Sequence, residues 1–145
     1  MLEAIDRDIK AAMRKRDSET VSTLRMIKSA LESTRIENKG ELSEEDAVAT
    51  LRKQAKQRRE SIDSYRSAGR EEQAVSEEAE LAVIERYLPE EMDDAELEKL
   101  VDEAIEETGA ESMKDMGAIM RVLQPRVAGR AEGGAIADLV RKKLQ

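Results

Sequence analysis

Side chains that could perform chemistry are few in this sequence, because it contains neither histidine nor cysteine. The missing histidine removes the commonest general base and metal ligand, and the two absences exclude Ser–His–Asp and Cys–His catalytic centres. Disulfides and thiolate metal sites are excluded as well. Acid–base chemistry by carboxylates alone needs a pocket, and no run of inward-facing polar residues indicates one. We therefore predict no catalytic residue.

Two segments could in principle bind phosphate or a metal ion. The segment from Gly129 to Gly134 is rich in glycine, but it follows no strand and lacks the Lys-Ser/Thr pair of a P-loop, so a turn is the favoured interpretation. The acidic residues from Glu90 to Glu107 lack the alternating oxygen ligands and central glycine of a calcium loop. A solvated helix face accounts for them better. We expect neither a metal ion nor a cofactor.

Basic residues fall on one face of the third predicted helix, at spacings of three, four and seven residues. Phosphates suit such a stripe, because each neutralised phosphate releases counterions. The alternative is a solvated face whose cations pair with the acids that predominate from Glu71 to Glu111. The sequence leaves both interpretations open. The residues are Arg52, Lys56, Arg59, Arg66 and Arg70.

The apolar seam of the same helix contains one cation, Arg58. A buried guanidinium group needs acidic or carbonyl partners. The alternative is an arginine whose stem lies in the core while its charged end reaches water.

The segment from Gly109 to Arg121 combines a helix start with an unusual glycine. Ser112 is a good N-cap with Asp115 three residues later. Gly117 inside the following helix costs about 1 kcal/mol relative to alanine, which close approach of another helix or of a ligand backbone would offset. The methionines of this segment could form an adaptable binding surface or pack in the core.

Apolar residues recur at helical spacing along the whole chain, and no segment has the pattern of a strand. Hydrophobic residues make up 39% of the chain, charged residues 40% and aromatic residues only 1%, which favours long solvated helices over sandwiches or barrels. We predict an all-α fold of two helical bundles, with four helices in residues 1–89 and three in residues 90–145. The predicted helices cover residues 2–16, 18–38, 43–68, 73–88 and 93–108. They are followed by a helix from Ser112 that Pro125 ends or kinks, and by a last helix after a loose turn at Gly129, Gly133 and Gly134.

The net charge is −8, and no long apolar run interrupts the charged sequence. We therefore expect no transmembrane span, no secretory signal and no membrane partner, with a location in the cytoplasm.

Four motifs in this order resemble the GatB/YqeY family over essentially the whole chain. They are Thr23–Leu31, Lys56–Ser61, Glu85–Glu90 and the segment from Gly109 to Met120 with Gly129-Arg130-Ala131. The resemblance implies two helical bundles of four and three helices. It also implies a relation to the tail domain of GatB, a subunit of the tRNA-dependent amidotransferase, which engages tRNA while catalysis belongs elsewhere. The family carries a carbon–nitrogen ligase description with glutamine as amide donor.

Together these observations predict a non-catalytic binding module, most simply an accessory protein that binds tRNA or another RNA. One alternative is a protein-interaction adaptor whose acidic helices dock on a basic, translation-related partner. Another is a component of glutamine-dependent tRNA amidation. The residues predicted to contact nucleic acid are Arg52, Lys56, Arg59, Lys114, Gly117, Arg121, Arg126, Gly129 and Arg130.

Overall fold

The structure is a computed structural model that describes all 145 residues. It contains seven α-helices, one short 3₁₀ turn at Met113–Asp115 and no strand, which confirms the all-α fold class. None of the helices combines the length and apolar character that crossing a membrane requires. The helices are α1 (Leu2–Arg14), α2 (Ser18–Glu37), α3 (Glu44–Ser67), α4 (Glu71–Glu85), α5 (Asp94–Thr108), α6 (Met116–Val127) and α7 (Gly133–Leu144).

The chain divides into two compact units, Met1–Leu88 and Pro89–Gln145, which we call unit 1 and unit 2. Helices α1 to α4 form unit 1 and α5 to α7 form unit 2. In α2, Leu24, Ile27 and Leu31 recur three and four residues apart, so all three point into one core. That core also contains Ile5, Leu51, Ala55 and Ile84.

The corner between α1 and α2 differs from the predicted one by a few residues. Helix α1 ends at Arg14, because Arg16 adopts the left-handed conformation with φ 57° and the amide of Asp17 bonds back to the carbonyl of Ala12. The N-cap of α2 is Asp17 and not Ser18, since its carboxylate accepts bonds from the amide and hydroxyl of Thr20. The prediction of Ser18 as the cap was therefore wrong by one residue.

Other caps are those that the sequence indicated. Ser43 accepts from the amide of Asp46 at 3.0 Å, and Asp93 accepts from the amide of Glu96 at 2.7 Å. Ser112 and Asp115 form the reciprocal capping box. Short polar side chains placed before an acidic first turn were thus sufficient to locate these helix starts.

Helix α4 lies about two residues earlier in the chain than expected, from Glu71 to Glu85. Residues up to Leu88 continue in i→i+3 turns, consistent with the restriction that Pro89 places on its predecessor. Here the hydroxyl of Tyr87 donates to the carboxylate of Asp8 on α1. Burial, followed by this hydrogen bond, raises the pKa of Tyr87. The bond connects the end of unit 1 to its first helix.

The core of unit 2 is built from aliphatic residues on α5, α6 and α7. Pro125 does not end α6. The helix continues to Val127, because a proline in the last turn removes only one late hydrogen bond. Gly133 and Gly134 open α7 instead of forming a turn before it. The largest fully buried residues of this core are Val101, Ile119, Leu123, Val127 and Val140.

Arg58 on α3 lies between the acids of α4 and is only 13% exposed. Its Nε is 2.9 Å from a Glu80 oxygen and 3.5 Å from a Glu77 oxygen, and its Nη2 is 2.8 Å from the sulfur of Met26. Of the two interpretations of Arg58, the structure shows the one in which its guanidinium group has acidic partners. Neither Nε nor the buried Glu77 oxygen has hydrogen-bond geometry, so the contact is mainly Coulombic. Burial, and then repulsion by Glu80, raises the pKa of Glu77.

We expect Arg58→Gln to lower the free energy of unfolding of unit 1 by about 2–3 kcal/mol, because it leaves two half-buried carboxylates without a cation. The matched control is Arg59→Gln, whose pair with Glu85 at 3.7 Å is exposed and contributes about 0.5 kcal/mol or less. Urea unfolding followed by circular dichroism measures both. Equal losses in the two variants would contradict this account of Arg58.

Glu77→Gln should make the protein more stable at neutral pH. The folded state binds the Glu77 proton more tightly than the unfolded chain, because the folded pKa is raised. The natural protein therefore loses unfolding free energy as the pH rises from 4.5 through the folded pKa, and the variant lacks this loss. Urea titrations below and above this range measure the difference. A variant that is less stable at neutral pH would show that attraction to Arg58 outweighs burial.

Candidate nucleic-acid interface

The predicted basic stripe lies on α3 of unit 1, where α4 supplies acids to two of its five members. Arg59 pairs with Glu85, and Arg66 pairs with Glu71 at 3.2 Å and with Glu78. Lys56 is exposed and forms no ion pair, whereas Arg52 is half-buried. The structure thus favours the ion-paired interpretation for Arg59 and Arg66, since phosphates would have to compete there with acids already in place.

Arg130 of unit 2 has a structural role in the loop between α6 and α7. Its Nε donates to the carbonyl of Glu90 at 3.0 Å, and its two terminal nitrogens donate to the carboxylate of Glu96 at 3.0 and 3.2 Å. The carbonyl of Arg130 accepts from the amide of Met92 at 2.8 Å. These bonds hold residues 90–96 against the loop after α6. A bidentate guanidinium–carboxylate pair of this kind fixes orientation as well as charge.

The conformation of the same loop explains Gly129. Ala128 and Gly129 both have positive φ, 50° and 76°, where glycine has the lowest strain. The loop reverses the chain just before Arg130 and so places its guanidinium group. Gly129 therefore has a backbone role within unit 2.

Arg126 is also engaged within unit 2. One of its terminal nitrogens lies 2.6 and 2.9 Å from the two carboxylate oxygens of Glu107 on α5. This hydrogen bond is the main cause of a raised pKa for the Arg126 guanidinium. The pair is exposed, so it can be exchanged for another anion at modest cost.

The exposed start of α6 and the 3₁₀ turn before it contain two candidate cations that have no internal partner. Lys114 and Arg121 are exposed and form no ion pair, and Gly117 is exposed between them, three residues after one and four before the other. Beyond its chain neighbours and the backbone of its own helix, a Cβ atom at Gly117 would meet no protein atom within 4 Å, so close packing of another helix does not account for this glycine. We call Lys114, Gly117 and Arg121 the α6 face.

The methionines of this segment divide between core and surface. Met116 and Met120 pack against the core of unit 2, as expected if these methionines serve core packing and not binding. Met113 is 45% exposed and lies next to Lys114. The surface beside the α6 face therefore includes one flexible apolar side chain.

The acids from Glu90 to Glu107 do not converge. No group of three or more acidic side chains is arranged to hold a metal ion. Several of them pair instead with cations of α6, the following loop and α7: Glu107 with Arg126, Glu96 with Arg130, and Glu98 with Lys143 at 2.6 Å. These acids thus have a structural role in unit 2.

One group of cations that the sequence analysis did not single out lies on α1. Arg7, Lys10 and Arg14 are exposed on one face and form no ion pair. Their spacing of three and four residues was the available signal. It was obscured by acids at helical spacing, one of which, Asp6, pairs instead with Lys28 on α2 at 2.7 Å.

The architecture is that of an all-helical protein of two compact units whose exposed features are charged helix faces. The family described as Yqey-like protein matches residues 2–144, and the chain belongs to that family. This match confirms the YqeY part of the resemblance over essentially the whole chain.

Fungal proteins are among its relatives. A protein of Pyrenophora tritici-repentis named altered inheritance of mitochondria protein 41, mitochondrial, is 27% identical over 147 aligned residues, which cover all of this chain and 79% of the relative. A protein of the same name from Meyerozyma guilliermondii is 35% identical over 90 residues, 60% of this chain and 46% of that protein. A Schizosaccharomyces pombe protein, named as uncharacterized, is 29% identical over 79 residues, 54% of this chain and 64% of the relative.

Arg130→Gln should weaken unit 2 by about 1–2 kcal/mol, because the carbonyl of Glu90 and the carboxylate of Glu96 lose their shared donor. Hydrogen–deuterium exchange at the amide of Met92, which bonds to the carbonyl of residue 130, should become faster. Arg141→Gln, which breaks an exposed pair with Asp138 on a single helix, is the control and should leave that amide unchanged. Equal protection in the two variants would show that Arg130 does not hold this loop.

Proposed function

We propose that the protein is a non-catalytic accessory protein that binds RNA, with tRNA as the first candidate, through the α6 face. The observation that carries the proposal is the open surface around Gly117 between two unpaired cations. Phosphate groups are the natural partners of such cations, and the absence of a Cβ lets a sugar–phosphate backbone approach the helix closely. The choice of tRNA rests on the resemblance of this segment to the tail of GatB.

The other predicted contacts rank lower in this proposal. Arg126 and Arg59 can contribute only by exchanging a carboxylate for a phosphate, and Gly129 and Arg130 support the loop after α6. Lys56 on α3 is exposed and unpaired, so it is the member of the α3 stripe best suited to a phosphate. A small number of contacts predicts weak binding with a shallow salt dependence.

A catalytic role receives no support from the side chains. The chain lacks histidine and cysteine, and the acids that could have formed a site are paired with arginines and lysines. A role in glutamine-dependent amidation of tRNA would then require a partner that supplies the chemistry. The relatives' names place two of those proteins in mitochondria; a cytoplasmic location for this chain remains our prediction.

Binding of fluorescent bulk tRNA at a series of salt concentrations tests the proposal. We expect Lys114→Gln and Arg121→Gln each to lower the slope of log affinity against log salt by about 0.7–0.9, the value for one lost phosphate contact. Arg126→Gln, on the same helix but paired with Glu107, is the matched control and should change the slope much less. Gly117→Ala should raise the free energy of unfolding by about 0.5–1 kcal/mol and weaken tRNA binding.

Absence of salt-sensitive tRNA binding would overturn the proposal. So would an Arg126 control that behaves like the two α6-face variants, because the effect would then reflect general charge. If a basic protein partner co-purifies with the chain without RNA and the α6-face variants bind tRNA normally, the protein-interaction alternative replaces it.

A further inference from the structure

A groove with a partly apolar lining opens at the corner between α1 and α2 in unit 1. Its volume is about 480 Å³, which falls within the range of small binding sites. Met13 and Val21 provide much of the apolar lining, and Met13 is 53% exposed. An apolar side chain of this size left half in water is uncommon in this protein, and here it lies within a concave surface.

The cations of this groove have no carboxylate partner. Arg16 and Arg25 line it, are exposed and belong to no ion pair. The one acid in the lining, Asp17, is already bonded to the amide of Thr20 at 3.2 Å and to its hydroxyl at 2.6 Å. These bonds first, and then Arg86 and Lys15, lower the pKa of Asp17. The groove is therefore positively charged in a chain whose net charge is −8.

The unpaired charge at the corner contrasts with the cations of unit 1 that face α4. The cations that face α4 have acids beside them, as Arg58, Arg59 and Arg66 illustrate. Around the corner the chain offers Arg14, Lys15 and Arg16 in succession, and none of the three forms an ion pair, although the Asp17 carboxylate lies near enough to Lys15 to interact with its charge. Anionic groups from another molecule are what this surface lacks.

We propose that the groove is a docking site for an acidic segment of a partner protein that carries an apolar side chain. The carboxylates of that segment pair with Arg16 and Arg25, and its apolar side chain covers Met13 and Val21. Nucleic acid satisfies the cations but leaves the apolar lining uncovered, and no aromatic ring is present in the groove on which a base could stack. An acidic, leucine-containing peptide complements both the charge and the apolar surface.

The backbone of Arg16 makes it possible to remove a cation without weakening the fold. Arg16 has φ 57° at the end of α1, and Lys39 has φ 59° at the equivalent place after α2. Glycine relieves strain at both positions. Arg16→Gly and Lys39→Gly are thus a matched pair, since each removes one unpaired cation from a left-handed helix end and only the first lies in the groove.

The test uses the full chain and two fluorescein-labelled peptides, one alternating glutamate and leucine and the other glutamate alone. We expect the leucine-containing peptide to bind more tightly to the natural protein. Arg16→Gly and Arg25→Gln should each weaken its binding about fivefold, the factor for one exposed charge pair, whereas Lys39→Gly should leave it unchanged. Met13→Gln should abolish the preference for leucine, and both glycine variants should unfold at or above the natural temperature.

The proposal would be overturned if the leucine-containing peptide did not bind, or if the two peptides bound equally. It would also be overturned if Lys39→Gly weakened peptide binding as much as Arg16→Gly. If tRNA displaced the peptide and its binding depended on Arg16 and Arg25, nucleic acid would be the occupant of the groove and the proposal would be wrong. Lys114→Gln and Arg121→Gln should not affect the peptide. Failure of this proposal can therefore be distinguished from failure of RNA binding at the α6 face.

Discussion

Ion pairing between the acids of α4 and α5 and the cations that face them determines which basic side chains this protein presents to its surroundings. In unit 1, Glu80 and Glu77 flank the nearly buried Arg58. In unit 2, Glu96 holds Arg130 and Glu107 holds Arg126. Although acids are in excess, with a net charge of −8, several exposed cations form no ion pair.

Two pairs of exposed cations, one pair in each unit, form no ion pair. Arg16 and Arg25 border the groove at the first corner of unit 1, and Lys114 and Arg121 flank Gly117 on α6 of unit 2. Both places combine positive charge with a second feature, an exposed methionine in one and an open glycine in the other. This combination is why we connect them with external partners, an acidic protein segment and an RNA backbone respectively. Counting basic residues along the sequence cannot separate them from the paired stripe on α3.

Local signals were sufficient for the helices and insufficient for the surface. Leu24, Ile27 and Leu31 recur at helical spacing and the caps at Ser43 and Asp93 precede acidic turns, so helix type and most helix starts could be read from neighbouring residues. The errors were of one to a few residues, at helix ends where a turn competes with one more helical bond. The spacing of the α3 cations was read correctly, but their partners come from α4 across the bundle, and local spacing does not encode that contact.

Under the proposed function, RNA binds the α6 face, and the ion-paired arginines of the α3 stripe stay with their carboxylates. The most direct test is a titration of tRNA into ¹⁵N-labelled protein, followed by the backbone and arginine side-chain resonances. We expect the largest shifts on residues 113–121, which comprise the start of α6 and the turn before it. The Nε–H resonance of Arg66, which is paired with Glu71 and Glu78, should not move. Shifts that centre on Arg59 and Arg66 of α3, with α6 unaffected, would contradict it.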